Sequence, residues 1–508
     1  MAEDKILKAL EGILGPDNVT NDPVKMAVYS VDQNPFGGSR TPAYLAMPET
    51  VEEIQEILRF CNRDKVPVYT RGSGISTMGV SNWPGVIMLD LYPRMNKVHE
   101  IDTEHRYAVI EPGVSAGELY RETEKVGLRP LTGQFPYTTS LISNYIETSA
   151  ASEGARVAEQ TLLLGLEVVL PTGETFRTGS WGVAGCRPLS PSNFGPNLTG
   201  LYFGSRGTLG VITKASIKLF PVPEYIDWVM IDFGDRMEDM MACEHEIFRR
   251  VKPAIHFCLD RGFTYFGVAM TMRMLMGTEA YMDSILPEIR DVFLDMAPPW
   301  LGLYVFEGTE RAVKAQLDDL DTVVAKHKFE AMPTSAFGEN FQAMLELFGT
   351  EQISKPGWME ILAYGAARCI GLNWAYGPAS ALPEMYERLV ELAEEYSLPS
   401  HGFLFTPGPE DRIWGYQYLV GYDSSKPDEV RRIHDWYYEL VKMLHRVGCC
   451  PPRLFFPPAD SVTNYWLSQA PEYMEVVHRI KRALDPNDIL NPGQLQIVDP
   501  ETFERRGI

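Results

Sequence analysis

VPVYTRGSGIST, residues 66–77, is the stretch on which the fold turns. Val66, Val68, Tyr69 and Thr70 are β-branched or aromatic and read as a strand. Arg71-Gly72-Ser73-Gly74-Ile75-Ser76 then reads as a glycine-rich turn, where backbone approaches a ligand without Cβ clashes and successive N–H groups can cradle a phosphate. It lacks the third glycine of GxGxxG and the lysine of a P-loop, so alone it reads equally well as a plain surface turn. Just upstream, PETVEEIQEILRFCN from Pro48 sets an acidic first turn and puts Val51, Ile54, Ile57 and Leu58 on one helical face. Just downstream, GVIMLDL from Gly85 is a second short apolar strand.

The pattern continues outward with YAVIEPGV from Tyr107, a helix near SAGELYRETEKVG, and LLLGLEVVLPTGE ending in a Thr172-Gly173 turn. Strands alternating with helices give an α+β class and exclude a helical bundle. Pro221 and Pro223 punctuate a change of texture, which predicts a first domain over residues 1–225 and a second over 226–454. The second is rich in aromatics and methionine and holds the helix LPEMYERLVELAEEYSLP, with Met385, Leu389 and Leu392 at helical spacing. Residues 455–508 return to complete the first domain, through a helix stopped at Pro486 and an extended Ile489-Leu490-Asn491-Pro492-Gly493.

At 508 residues the chain has room for two real cores. A formal charge of -22 excludes a general nucleic-acid surface, because phosphate binding draws on clustered Lys and Arg. The start, MAEDKILKALEGILG, reads as an amphipathic helix without the basic and apolar regions of an export signal. No apolar run reaches the roughly 18 residues of a membrane span, so the expected compartment is the cytoplasm. Seven cysteines (Cys61, Cys186, Cys243, Cys258, Cys369, Cys449, Cys450) contain no CxxC pair, and nine histidines show no close ligand spacing. Neither disulfides nor a metal site is expected.

Three further stretches change the reading of the glycine turn. They are Pro136-Tyr137-Thr138-Thr139-Ser140-Leu141-Ile142-Ser143-Asn144, then Gly204-Ser205-Arg206-Gly207-Thr208-Leu209-Gly210-Val211-Ile212-Thr213, and Leu484-Asp485-Pro486-Asn487-Asp488-Ile489-Leu490-Asn491-Pro492-Gly493. In order and spacing the four resemble the flavin-contacting regions of the vanillyl-alcohol oxidase and p-cresol methylhydroxylase (PCMH-type) flavoprotein superfamily. The likeness covers about residues 40–220 and the tail from about 450; the segment between matches more loosely.

That resemblance implies an FAD-binding domain of two α+β subdomains and a cap whose antiparallel sheet is flanked by helices. It implies FAD as cofactor, contacted by Arg71, Gly72, Ser73, Gly74, Ile75, Ser76, Pro136, Thr138, Thr139, Ser140, Ser143, Asn144, Gly204, Ser205, Gly207, Gly210, Val211, Ile212 and Asn491. Hydroxyls at Ser73, Thr138, Thr139, Ser140 and Ser205 would reach the pyrophosphate, and Gly207 and Gly210 would admit the flat ring. The flavin is expected to be noncovalent, with Tyr364 near the place of the linking tyrosine in the methylhydroxylases.

The implied chemistry is hydride transfer from a small organic substrate to flavin N5, with a p-substituted phenol or aromatic alcohol first in line. Arg453 stands where the family anchors a phenolate, although Pro452 replaces the adjoining tyrosine. Glu159 falls near the family's water-activating aspartate. Tyr137, Tyr376 and Trp414 are candidate walls, with Trp181, Trp374, Tyr416 and Tyr418 behind them. A 2-hydroxy-acid dehydrogenase of the D-lactate or glycolate type is the alternative, Arg453 then holding a carboxylate, although His401-Gly402 lacks that group's histidine-rich metal segment. The family also suggests a homodimer, and the electron acceptor stays open among oxygen, a cytochrome, a quinone and a flavoprotein.

Overall fold

The structure, a computed structural model, describes residues 4–30, 41–75, 85–132, 137–147, 162–192, 195–265, 297–333, 369–398, 400–407, 412–421, 426–450 and 460–496. Helix α1 (Lys5–Leu14) leads into β1 (Val19–Thr20), the short α2 (Pro23–Met26), β2 (Tyr44–Ala46), α3 (Val51–Asp64), β3 (Val68–Arg71) and β4 (Ile87–Asp90). These strands form a four-stranded sheet ordered β1-β2-β4-β3, parallel between β2, β4 and β3. The helical face anticipated for α3 is the buried one, with Ile54, Ile57, Leu58 and Cys61 against the sheet. Its start is fixed by a capping box in which Thr50 and Glu53 exchange side-chain and backbone bonds, a contribution of about 1 kcal/mol. Lys65, left-handed at φ 55°, ends it.

The second sheet is antiparallel and ordered β5-β6-β10-β8-β9, from β5 (Val98–Asp102), β6 (Tyr107–Ile110), β8 (Leu163–Val169), β9 (Thr175–Arg177) and β10 (Val211–Lys218). A two-stranded ribbon pairs β7 (Leu128–Arg129) with β11 (Phe220–Pro221). Helices α4 (Ala116–Glu124) and α5 (Leu141–Glu147) share a core with this sheet through Ala116, Leu119, Leu141, Ile142, Tyr145 and Ile146.

A third sheet of seven antiparallel strands is ordered β15-β12-β14-β13-β17-β18-β16. Its strands are β12 (Tyr225–Gly234), β13 (Ile255–Asp260), β14 (Trp300–Gly308), β15 (Ala331–Pro333), β16 (Cys369–Gly377), β17 (Ser400–Pro407) and β18 (Trp414–Gly421). Helices α6 (Met237–Arg250), α7 (Glu310–Lys326), α8 (Leu382–Glu395) and α9 (Pro427–Arg446) join it in one core. The expected Met385, Leu389 and Leu392 are the buried stripe of α8. Strand alternation sorts the two faces. Val229, Ile231, Phe233, Tyr304, Phe306, Phe403, Phe405, Trp414, Tyr416 and Tyr418 point to the helices. Leu303, Val305, Glu307, Leu404 and Gln417, of opposite parity, are buried on the other face. From that face Glu307 forms an ion pair with Arg129 of β7, both side chains 3% exposed.

The tail returns through α10 (Ser461–Ser468) and α11 (Pro471–Leu484) to the first two sheets, where Leu490 bridges Val68 in parallel and Ile480 and Leu484 pack on the second core. Val462 of α10 joins the core of the third sheet. The architecture is α+β throughout, with the antiparallel sheet and flanking helices anticipated for the third part. Among the described residues no helix is long and apolar enough to cross a membrane.

Candidate functional site

The glycine turn leaves β3 at the sheet end where Arg71 lies. Arg71 folds beneath its own loop: an added Cβ on Gly74, which sits at φ 72°, would land 1.9 Å from the Arg71 guanidinium. The guanidinium stacks 4.5 Å from the Tyr29 ring and lies 3.6 Å from Asp90 Oδ2, which also accepts the Tyr29 hydroxyl at 2.9 Å. Burial, with the Asp90 charge, pushes the Tyr29 hydroxyl up to about 12, so it stays a proton donor at neutral pH. Arg71 thus shapes the loop from inside, through groups that its sequence context did not reveal.

A serine cluster ties this loop to the next. Ser140 N–H donates to Ser73 Oγ at 3.1 Å, Ser140 Oγ donates to Pro112 O at 2.6 Å and lies 3.1 Å from Ser143 Oγ. Gly72 lets the loop press close on this cluster, since a Cβ there would meet Ser143 Oγ at 2.4 Å and Ser140 Cβ at 3.2 Å. Thr138 O accepts the Tyr92 hydroxyl, and the N–H groups of Ala116 and Gly117 donate to Thr139 O and Tyr137 O, which lays the loop across the start of α4. The Tyr137 ring covers Gly117 and remains 37% exposed. Asn144 and Ser143 are half-buried on α5.

The third stretch meets the tail in a buried knot. Arg206 N–H donates to Glu147 Oε1 at 2.9 Å, and Arg206 O accepts Asn491 Nδ2 at 2.6 Å. Asn491 Oδ1 accepts the Thr70 N–H at 3.1 Å. Asn491, left-handed at φ 42°, therefore spends both ends of its amide joining the glycine strand to the Ser205–Gly207 turn. Below it Lys481, 6% exposed, donates to Thr208 O, Leu490 O and the Asp485 carboxylate. Asp485 in turn accepts from Ile489 N and Leu490 N. Lys481 was not singled out from the sequence; only its place four residues before Asp485 hinted at a pair. Burial pulls the Arg206 guanidinium down to about 10, leaving it charged.

Several expected contacts take a different form. Gly207 and Gly210 face protein, not an open slot. A Cβ on Gly207 would strike Asn491 Nδ2 and Thr70 Oγ1, and one on Gly210 would strike the Val168 side chain. Val211 and Ile212 put their side chains into the cores beside β8. Gly204 alone of these glycines borders open space. Trp414 is fully buried on the helix face, stacked 4.8 Å from Phe405, and Tyr416 and Tyr418 lie on the same face, so the structure makes these rings core. Trp181 stacks under Arg177 beside the second sheet. Tyr376, of opposite parity to Ala375 in the core, falls on the other face, and its backbone pairs with Cys450 in both directions. Ser76, Pro136, Glu159, Tyr364 and Arg453, with the side chain of Trp374, lie outside the described residues.

The three loops suit a dinucleotide. Thr139 Oγ1 and Thr132 Oγ1 are buried hydroxyls with no hydrogen-bond partner among the described residues, a costly state that a phosphate or ring acceptor would relieve. FAD would be held at Gly72–Ile75, Thr138–Ser140 and Gly204–Ser205, and when bound it supplies a hydride acceptor.

Comparison with known proteins agrees. The pattern of the FAD binding domain family matches residues 42–179, and that of the FAD linked oxidases, C-terminal domain, matches residues 464–495. The flavoprotein subunit of 4-cresol dehydrogenase [hydroxylating] from Pseudomonas putida is 25% identical, covering 97% of this chain and 95% of its own. Glycolate oxidase subunit GlcD from Bacillus subtilis is 24% identical, covering 98% of each. Among solved structures, 4-ethylphenol oxidase from Gulosibacter chungangensis superposes with a TM-score of 0.83 at 20% identity, over 98% of this chain and 97% of that one. p-Cresol methylhydroxylase does so with a TM-score of 0.80 at 21% identity, over the same shares. The protein is an FAD-linked oxidoreductase. Within that class, the chain has over nearly its whole length the fold of p-cresol methylhydroxylase and 4-ethylphenol oxidase.

Proposed function

We propose that this enzyme oxidises a p-substituted phenol or related aromatic alcohol, its cap (residues 226–454) closing over FAD held by residues 1–225 and 455–508. The observation that carries the reading is the likeness of the whole chain, third sheet included, to proteins named for 4-cresol and 4-ethylphenol. The buried face of the third sheet opposite its helices supplies the wall, with Tyr376 on it. Cys450 is locked to Tyr376, and Arg453 follows three residues on in the sequence, as the anion anchor for a phenolate. Glu159 and Tyr137 complete the proposed substrate set. The FAD is noncovalent, the enzyme a cytoplasmic homodimer, and its electrons pass to an external acceptor.

Oxidation of a 2-hydroxy acid is the second reading, supported by glycolate oxidase GlcD at nearly the same identity and by the mitochondrial D-lactate dehydrogenase [cytochrome] of Arabidopsis thaliana at 25%. Anaerobic mixing of the holoenzyme with 4-alkylphenols, benzylic alcohols, D-lactate and glycolate separates the two. The phenol reading expects bleaching of the flavin by a 4-alkylphenol or aromatic alcohol; bleaching by a 2-hydroxy acid alone overturns it.

A further inference from the structure

Beyond Asn491 the tail forms an irregular coil of turns with positive φ at alternate residues, 42° at Asn491, 85° at Gly493 and 56° at Leu495. Inside that coil Gln494 is 2% exposed. Its backbone N–H donates to Asn491 O at 3.2 Å, yet among the described residues neither Oε1 nor Nε2 of its side chain has a hydrogen-bond partner. A buried carboxamide with both ends unmatched destabilises a fold, whereas an apolar side chain of the same length would pack there without that cost.

The surroundings say what the amide awaits. Pro492 O accepts the Tyr69 hydroxyl, and Asn491 grips Thr70 N–H and Arg206 O. Thr70 directly precedes the Arg71 glycine turn, and Arg206 lies between Ser205 and Gly207. Gln494, three residues past Asn491, therefore sits with its Cα within about 11 Å of the point where these cofactor loops meet.

We propose that Gln494 reads FAD, its carboxamide pairing one acceptor and one donor with a matching donor–acceptor edge of the cofactor. FAD has two such edges, the imide edge of the flavin and the amino edge of the adenine. The inference rests on FAD binding and is independent of which substrate is oxidised, so failure of the phenol reading in the substrate panel leaves it standing.

Gln494→Met and Gln494→Glu test it on the full chain, prepared as apoprotein and retitrated with FAD. Gln494→Met apoprotein is expected to unfold at the same urea concentration as wild type or a higher one, while its Kd for FAD rises about 10- to 100-fold, the loss of two hydrogen bonds. A shifted visible spectrum of the bound flavin assigns the contact to the flavin edge; weaker FAD binding with an unchanged spectrum assigns it to adenine. Gln494→Glu offers the same donor–acceptor edge only while protonated, so its FAD affinity should fall as pH rises through the carboxyl titration, with wild type flat over that range. A Kd for Gln494→Met within twofold of wild type overturns the proposal. Should that variant not fold, a pH-independent affinity in Gln494→Glu overturns it equally.

Discussion

Asn491→Ala removes the amide that joins two cofactor loops, and its cost follows from the geometry. The substitution leaves the Thr70 N–H, 3.1 Å from Oδ1, and the Arg206 carbonyl, 2.6 Å from Nδ2, without that partner at a site 4% exposed. Each loss costs about 1–3 kcal/mol in buried surroundings. Holding alanine at a left-handed backbone adds about 1 kcal/mol. The sum, about 3–7 kcal/mol, is read from the urea transition of the apoprotein. Asn491→Asp keeps the acceptor for Thr70 but sets a carboxylate oxygen against Arg206 O, and should cost about 2–4 kcal/mol. FAD affinity falls in both variants, because the Arg71 turn and the Ser205–Gly207 turn lose their common tie. A loss below 1 kcal/mol in Asn491→Ala, with FAD affinity still reduced, would refute the clamp and make Asn491 a direct cofactor contact instead.

Two other perturbations follow from buried charge. Arg129→Met or Glu307→Leu alone breaks the ion pair between β7 and β14, at a cost of about 3–5 kcal/mol, while Arg129→Met/Glu307→Leu recovers most of it; a double-mutant cycle showing additive losses would contradict a coupled pair. Asp260 accepts N–H bonds from Phe263 and Phe403 and the Tyr386 hydroxyl, yet full burial raises its carboxyl from 3.8 to about 6. The folded state then holds more protons than the unfolded one between those values, so this group's contribution to stability declines as pH rises from about 4 to about 6 and is constant above. The stability of wild type relative to Asp260→Asn should fall across that window by up to about 3 kcal/mol; no change across it would mean the carboxyl is ionised throughout.

Much of the fold was legible because local signals agreed with the tertiary structure. The stripe of Ile54, Ile57 and Leu58, the acidic first turn that follows Pro48 and the stop at Pro486 each encode an element or its boundary in a few adjacent residues. The proline break at Pro221 and Pro223 precedes β12, the first strand of the third sheet, for the same reason. The site was legible only in outline. Glycines mark where backbone comes close, but not to what: Gly74 makes room for Arg71, Gly207 for Asn491 and Gly210 for Val168. The aromatics of β18 all lie on the helix face and Tyr376 of β16 lies on the other, and nothing in WGYQYLVG tells which face the helices cover. Arg129 with Glu307, and Lys481 with Thr208 O, join residues 178 and 273 positions apart, beyond any local pattern.

The most direct check of the central claim is the flavin content of the purified protein before and after unfolding. The account predicts a yellow protein that releases one FAD per chain into the supernatant when denatured. A protein that carries no flavin and cannot be reconstituted with FAD would contradict it, and flavin retained on the denatured polypeptide would contradict noncovalent binding.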